Sequence, residues 1–141
     1  MTITITTYLK TGATPERMIE LTKNYKAKMA EKMLSDYELY KSSVDYYKGL
    51  LECDNLPFET REKAAAQVKY QNHIISSIER ALSLLDKTER EIIDKLYFRK
   101  ELSFYDICEE CGLERSSIYR HRTNALSKIA TAIYGADDIA G

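Results

Sequence analysis

An apolar stripe of helical period constrains this chain more than any other feature. Met18, Leu21, Tyr25, Met29, Met33, Tyr37, Tyr40, Val44, Tyr47 and Leu51 recur in nine steps over 33 residues, a mean of about 3.7, with no proline and no glycine before Gly49. Only a helix brings such positions to one side. Thr14-Pro15-Glu16 supplies its start: a capping hydroxyl, a proline at the first helical position and an acid in the first turn. The pattern predicts one long helix over about residues 15–52, with Ser42-Ser43 as the point where it would break.

Cys53-Asp54-Asn55-Leu56-Pro57 reads as a turn, and a second helix is expected from Pro57 or Phe58 to Leu84. Its stripe, Val68, Gln71, Ile75, Ile78, Leu82 and Leu85, alternates steps of three and four, a heptad seam with one polar seat. The short turn makes the two helices antiparallel neighbours, so residues 15–84 read as a long, coiled-coil-like helical hairpin for oligomerisation. Its apolar and tyrosine surface exceeds what one hairpin hides. A second copy, giving a homodimer, or a C-terminal domain must cover the remainder. The chain holds only 5 Gly and 2 Pro, which suits an all-α class. Thr2 to Thr6 alternate Thr and Ile, an extended pattern with no second clear strand to pair with. Residues 1–14 therefore read as a flexible N-terminal arm, or as an edge that pairs with another subunit.

From Leu85 the pattern shortens. Thr88-Glu89-Arg90-Glu91 has capping-box spacing and opens a helix carrying Ile92, Ile93, Leu96 and Tyr97. Arg99-Lys100-Glu101 is a polar turn, and Ser103-Phe104-Tyr105-Asp106 repeats the box ahead of Ile107, Cys108 and Cys111. Gly112 ends that helix as a left-handed residue should. The last helix is expected from Glu114 or Arg115 to about Tyr134-Gly135, followed by a frayed tail, 135–141.

Three helices with short links, the second ending at Gly112, suit a helix-turn-helix domain over 85–134. With Phe104 as the first position of the two-helix unit, Ile107 is fourth, Cys108 fifth, Gly112 ninth, Leu113 tenth and Ile118 fifteenth. The fourth, tenth and fifteenth must be apolar, the fifth small and the ninth glycine. All five requirements are met together. The outward side of the last helix then offers Arg115, Ser116, Ser117, Tyr119 and Arg120 for base edges in a major groove. Arg122, Thr123 and Lys128 are placed for phosphates, and the helix start near Ser103 could accept another. Global charge gives no hint of this, because 21 basic residues face 22 acidic ones. Locally, Arg115 to Lys128 holds four Lys/Arg and no Asp or Glu.

The segment LDKTEREIIDKLYFRKELSFYDICEECGLERSSIYRHRTNALSKI resembles the DNA-binding module shared by the last conserved region of bacterial sigma factors and the LuxR-type response regulators. The matching features are Glu89-Arg90-Glu91 before Ile92-Ile93, Leu96-Tyr97-Phe98, Ser103 before Asp106-Ile107-Cys108, Gly112-Leu113, Ser117-Ile118, and Ala125-Leu126 before Lys128-Ile129. His121-Arg122 is closer to the LuxR pattern. A helical first half ahead of such a module is similar in architecture to phage and prophage late-gene activators of the ArpU and RinA type. The resemblance implies a sequence-specific, double-stranded DNA-binding transcription regulator, acting as a homodimer or beside RNA polymerase. Residues 1–84 resemble neither a phosphoacceptor receiver nor the sigma region that grips the −10 element.

Two other readings stay open: a DNA-packaging protein like a small terminase subunit, and a module that binds only protein, such as RNA polymerase. No arrangement of acids, histidines and nucleophiles suggests an enzyme, and no cofactor or metal is expected. Cys108 and Cys111 lack the second pair that a structural zinc site needs, and Cys108 is expected in the core. His73 reads as a helix-surface residue. His121 reads as packing against the previous helix or touching a phosphate. Three cysteines, no basic-then-apolar leader in MTITITTYLK and no apolar run of ~20 residues suggest a cytoplasmic protein with reduced thiols.

Overall fold

The computed structural model describes residues 15–135, and over that span it is all helical, with no strand. The expected arm, 1–14, and the tail beyond Gly135 lie outside the described residues. Six α-helices follow in order: α1 Pro15–Ser35, α2 Tyr37–Leu51, α3 Phe58–Leu82, α4 Lys87–Ile93, α5 Phe104–Cys111 and α6 Arg115–Tyr134. A π-helical turn, Asp94–Phe98, extends α4 and is closed by the Arg99 amide donating to the Asp94 carbonyl at 3.0 Å.

The long first helix is interrupted at Asp36 rather than at Ser42-Ser43. Asp36 sits at φ −94 and ψ 4, and its carboxylate is drawn back to Lys32 at 2.7 Å. That contact is side chain to side chain and Asp36 caps no backbone amide, whereas the two serines remain helical. The interruption is slight, since the Asp36 amide still reaches the Lys32 carbonyl and the Tyr40 amide the Asp36 carbonyl, both at 3.0 Å.

Beyond that point the two halves have different neighbours. α2 runs antiparallel to α3: Arg61 donates to the Leu51 and Cys53 carbonyls near the turn, and Tyr37 donates to Glu79 at the far end. Burial and the Glu79 carboxylate push the Tyr37 hydroxyl up to about 12. The expected seam on α3 is only half-buried at Val68, Gln71 and Ile75. The fully buried positions are Ala64, Ile78, Ala81 and Leu82. α1 packs instead on α6 and the π turn.

Two apolar clusters result. The larger joins Ala30 and Leu34 of α1, Ile78, Ala81 and Leu82 of α3, Ile93, and Ala125, Leu126, Ile129 and Ala130 of α6. It therefore contains residues from both 15–84 and 85–134. The smaller joins Ile92, Ile107 and Ile118. The adjacent Ile92 and Ile93 face different clusters, so α4 is the wall between them.

α4 begins two residues earlier than the Thr88 box predicts. Asp86 is its cap: the Glu89 amide donates to Asp86 Oδ1 at 2.8 Å, and Glu89 Oε1 accepts from the Asp86 amide at 3.0 Å. Asp is the stronger N-cap of the two, and with Glu89 at the third helical position it completes a capping box two residues ahead of Thr88. The bond from the Glu89 amide holds the Asp86 carboxyl below the usual carboxylate range.

Candidate nucleic-acid interface

The site is built around the turn between α5 and α6. Ser103 caps α5: its hydroxyl accepts from the Asp106 amide and its amide donates to the Asp106 carboxylate, both at 3.1 Å. At the other end Gly112 adopts φ 64 and ψ 31. The Leu113 amide reaches back to the Cys108 carbonyl and the Gly112 amide to Glu109, both at 3.2 Å, the pairing of a Schellman turn. A β-carbon at Gly112 would meet nothing, so the glycine serves the backbone angle alone.

Below the turn, Ile92, Ile107 and Ile118 are buried together, with Leu96, Leu102, Phe104, Cys108, Cys111 and Leu113 half-buried around them. This packing fixes which side of α6 faces water. Arg115, Ser116, Tyr119 and Arg120 are exposed and Ser117 is half-buried. Two of these are held in place by Phe104. The Arg115 guanidinium lies 4.9 Å from the Phe104 ring centroid, and the Tyr119 ring stacks on Phe104 at 5.1 Å and 23°. Arg120 forms no ion pair among the described residues and projects into solvent.

The four residues expected at phosphates divide. Thr123 is exposed, and its hydroxyl donates to the Tyr119 carbonyl at 2.9 Å. The Ser103 hydroxyl is committed to the α5 cap, where Asp106 adds negative charge. Arg122 is half-buried and paired with Glu31 of α1, and its Nε donates to the Tyr97 hydroxyl at 3.1 Å. Tyr97 in turn donates to Glu31 at 2.8 Å, closing a triangle across α1, the π turn and α6. Burial, then the Glu31 bond, push the Tyr97 hydroxyl up to about 12. Burial opposes the Arg122 charge, but Tyr97 and Glu31 outweigh it and hold the guanidinium protonated. Lys128 donates at 2.7 Å to Glu89, which is only 3% exposed, and that bond pushes the lysine up. Arg122 and Lys128 thus satisfy internal carboxylates.

Glu31 and Glu89 were missed from sequence, because a carboxylate that pairs 91 or 39 positions away leaves no local signal. A second omission did have one. Residues 23–32 contain four lysines (Lys23, Lys26, Lys28 and Lys32) and one acid, Glu31. Packing places α1 beside α6, and an open groove between them is lined by Asn24, Ala27, Lys28, Glu31, Arg122 and Thr123, with Leu126 beneath.

Among the described residues no group of three or more His, Cys, Asp or Glu is arranged to hold a metal. Cys108 and Cys111 are half-buried free thiols, and burial, then Glu91, push the Cys111 thiol up. His73 is exposed and His121 half-buried. No helix among the described residues is long and apolar enough to cross a membrane. Compared with protein-family models, curated proteins and solved structures, the chain matches none.

Proposed function

We propose that the chain is a sequence-specific DNA-binding transcription regulator of the phage late-gene kind, in which α5 and α6 form a helix-turn-helix. The observation that carries this reading is the left-handed turn at Gly112 over the Ile92–Ile107–Ile118 cluster. It leaves Arg115, Ser116, Tyr119 and Arg120 exposed on the first two turns of α6, the part of a recognition helix that enters a major groove. Arginine is suited to guanine edges and serine to several bases. The stack of Arg115 and Tyr119 on Phe104 favours a preformed surface, which lowers the ordering cost of binding. One module with few phosphate-facing cations binds duplex weakly at physiological salt, so a second copy is part of the reading. Exposed Leu39 and Tyr46 on α2, and Phe58 and Tyr70 on α3, supply apolar area for it.

Selection of bound sequences from a random duplex pool tests this. Enrichment of a defined, two-fold-related site is the expected result. On that site Arg120→Ala should cost roughly 1–3 kcal/mol per subunit and relax the preference at one position of each half-site. A pool that stays random after repeated rounds would remove the reading.

A further inference from the structure

The two basic stretches of this chain are far apart in sequence and adjacent in space. Residues 23–32 carry a net +3 and residues 115–128 a net +4, so the rest of a chain of net −1 carries −8. Folding packs the helices bearing these two stretches, α1 and α6, directly on one another. Part of that charge is met within the fold, since Arg122, Lys128 and Lys32 pair with Glu31, Glu89 and Asp36, so a polyanion would be met by the cations that remain.

Individual side chains narrow the contact. Lys32 is drawn to Asp36 at 2.7 Å, and Lys26 reaches the Gly135 carbonyl at 3.4 Å. Lys28 is exposed, forms no ion pair among the described residues and lines the α1–α6 groove with exposed Asn24. Across that groove stands Thr123. Ser116, Arg120 and Thr123 occur at steps of four and three, one stripe of α6, so Lys28 lies where that stripe meets α1. The one acid in the groove, Glu31, is already neutralised by Arg122 and bonded by Tyr97, so it does not repel an anion there.

We propose that duplex DNA is gripped by α1 as well as α6, with Lys28, helped by Asn24, taking a backbone phosphate at the edge of the groove that receives Arg115 to Arg120. This rests on the reading of α6 as the recognition helix. A phosphate contact positions the protein and carries no sequence information. Its loss should therefore weaken all sequences alike, whereas loss of Arg120 should weaken one.

The test uses the full chain and a fluorescently labelled duplex, either random or carrying the selected site, titrated over a salt series. Lys28→Ala should lower the salt slope by about one per bound subunit and weaken both duplexes alike, by about eightfold per bound subunit at 0.1 M salt. Lys28→Glu should weaken them further. Lys48→Ala, an exposed lysine near the far end of α2, should change neither slope nor affinity. Wild-type slope and affinity in Lys28→Ala and Lys28→Glu, with Arg120→Ala still defective on the selected site, would overturn the α1 contact and leave the recognition helix standing. Absence of salt-dependent duplex binding by the wild-type chain would overturn both.

Discussion

The two buried clusters hold the molecule together in different ways. The smaller is three isoleucines, all between positions 92 and 118, locked by shape around one turn. The larger reaches from Ala30 to Ala130, and four of its ten buried members are alanines: Ala30, Ala81, Ala125 and Ala130. Branched side chains fill a local socket. Alanines remove bulk and let α1 and α3 each pack closely on α6. The first cluster sets the angle between α5 and α6. The second sets where that pair sits on the remainder of the chain. α6 belongs to both, through Ile118 at one end and Ala125 to Ala130 at the other.

Truncation separates the two clusters most sharply. Ile118→Ala and Ile129→Ala each empty a fully buried site and should each cost about 2–5 kcal/mol in urea unfolding. Only Ile118→Ala should also weaken duplex binding in conditions where circular dichroism shows the variant still folded. Equal binding defects in both would mean that the clusters act as one. Next in size, Ala125→Leu adds bulk where helices meet closely and should cost about 1–3 kcal/mol. Amide exchange should rise in α1 before it rises in α5; simultaneous exposure of the two would break the distinction.

The smallest effect is a pH dependence of the Glu31–Arg122–Tyr97 triangle. Tyr97 titrates at about 12 in the folded chain and near the ordinary value of about 10 when unfolded, so the folded state holds this proton more tightly. Its contribution is complete below pH 10 and is lost as pH rises from 10 towards 12. Tyr37 behaves in the same direction. Tyr97→Phe should therefore flatten part, and not all, of the fall in urea midpoint over that window. An unchanged fall would mean that the triangle contributes nothing.

What was legible in the sequence follows the same division. The apolar spacing around Gly112 is local, and Ile107 and Ile118 are buried where that spacing puts them. Helix ends marked by Pro15, Ser103 and Gly112 fall within a residue of their expected places. The cap of α4 falls on Asp86 and not on Thr88, because both can cap, two residues apart, and Asp is the stronger of the two. The partner of α1 was not legible. Its stripe states that one side is apolar, not what covers it, and α6 lies about a hundred positions away. For the same reason Arg122 and Lys128 looked like free cations until Glu31 and Glu89 were placed beside them.

α6 is one uninterrupted helix of 20 residues, a rod of about 30 Å. Its rear half is clamped in the alanine-rich cluster while its tip carries Arg115 to Arg120, so it works as a lever with its fulcrum near Leu126 and Ile129. A tilt of roughly 5° at that fulcrum swings Arg115 through roughly 1.5 Å, about half a hydrogen-bond length. A load on α1 or α3 large enough to tilt α6 about that point would be magnified in this proportion at the tip.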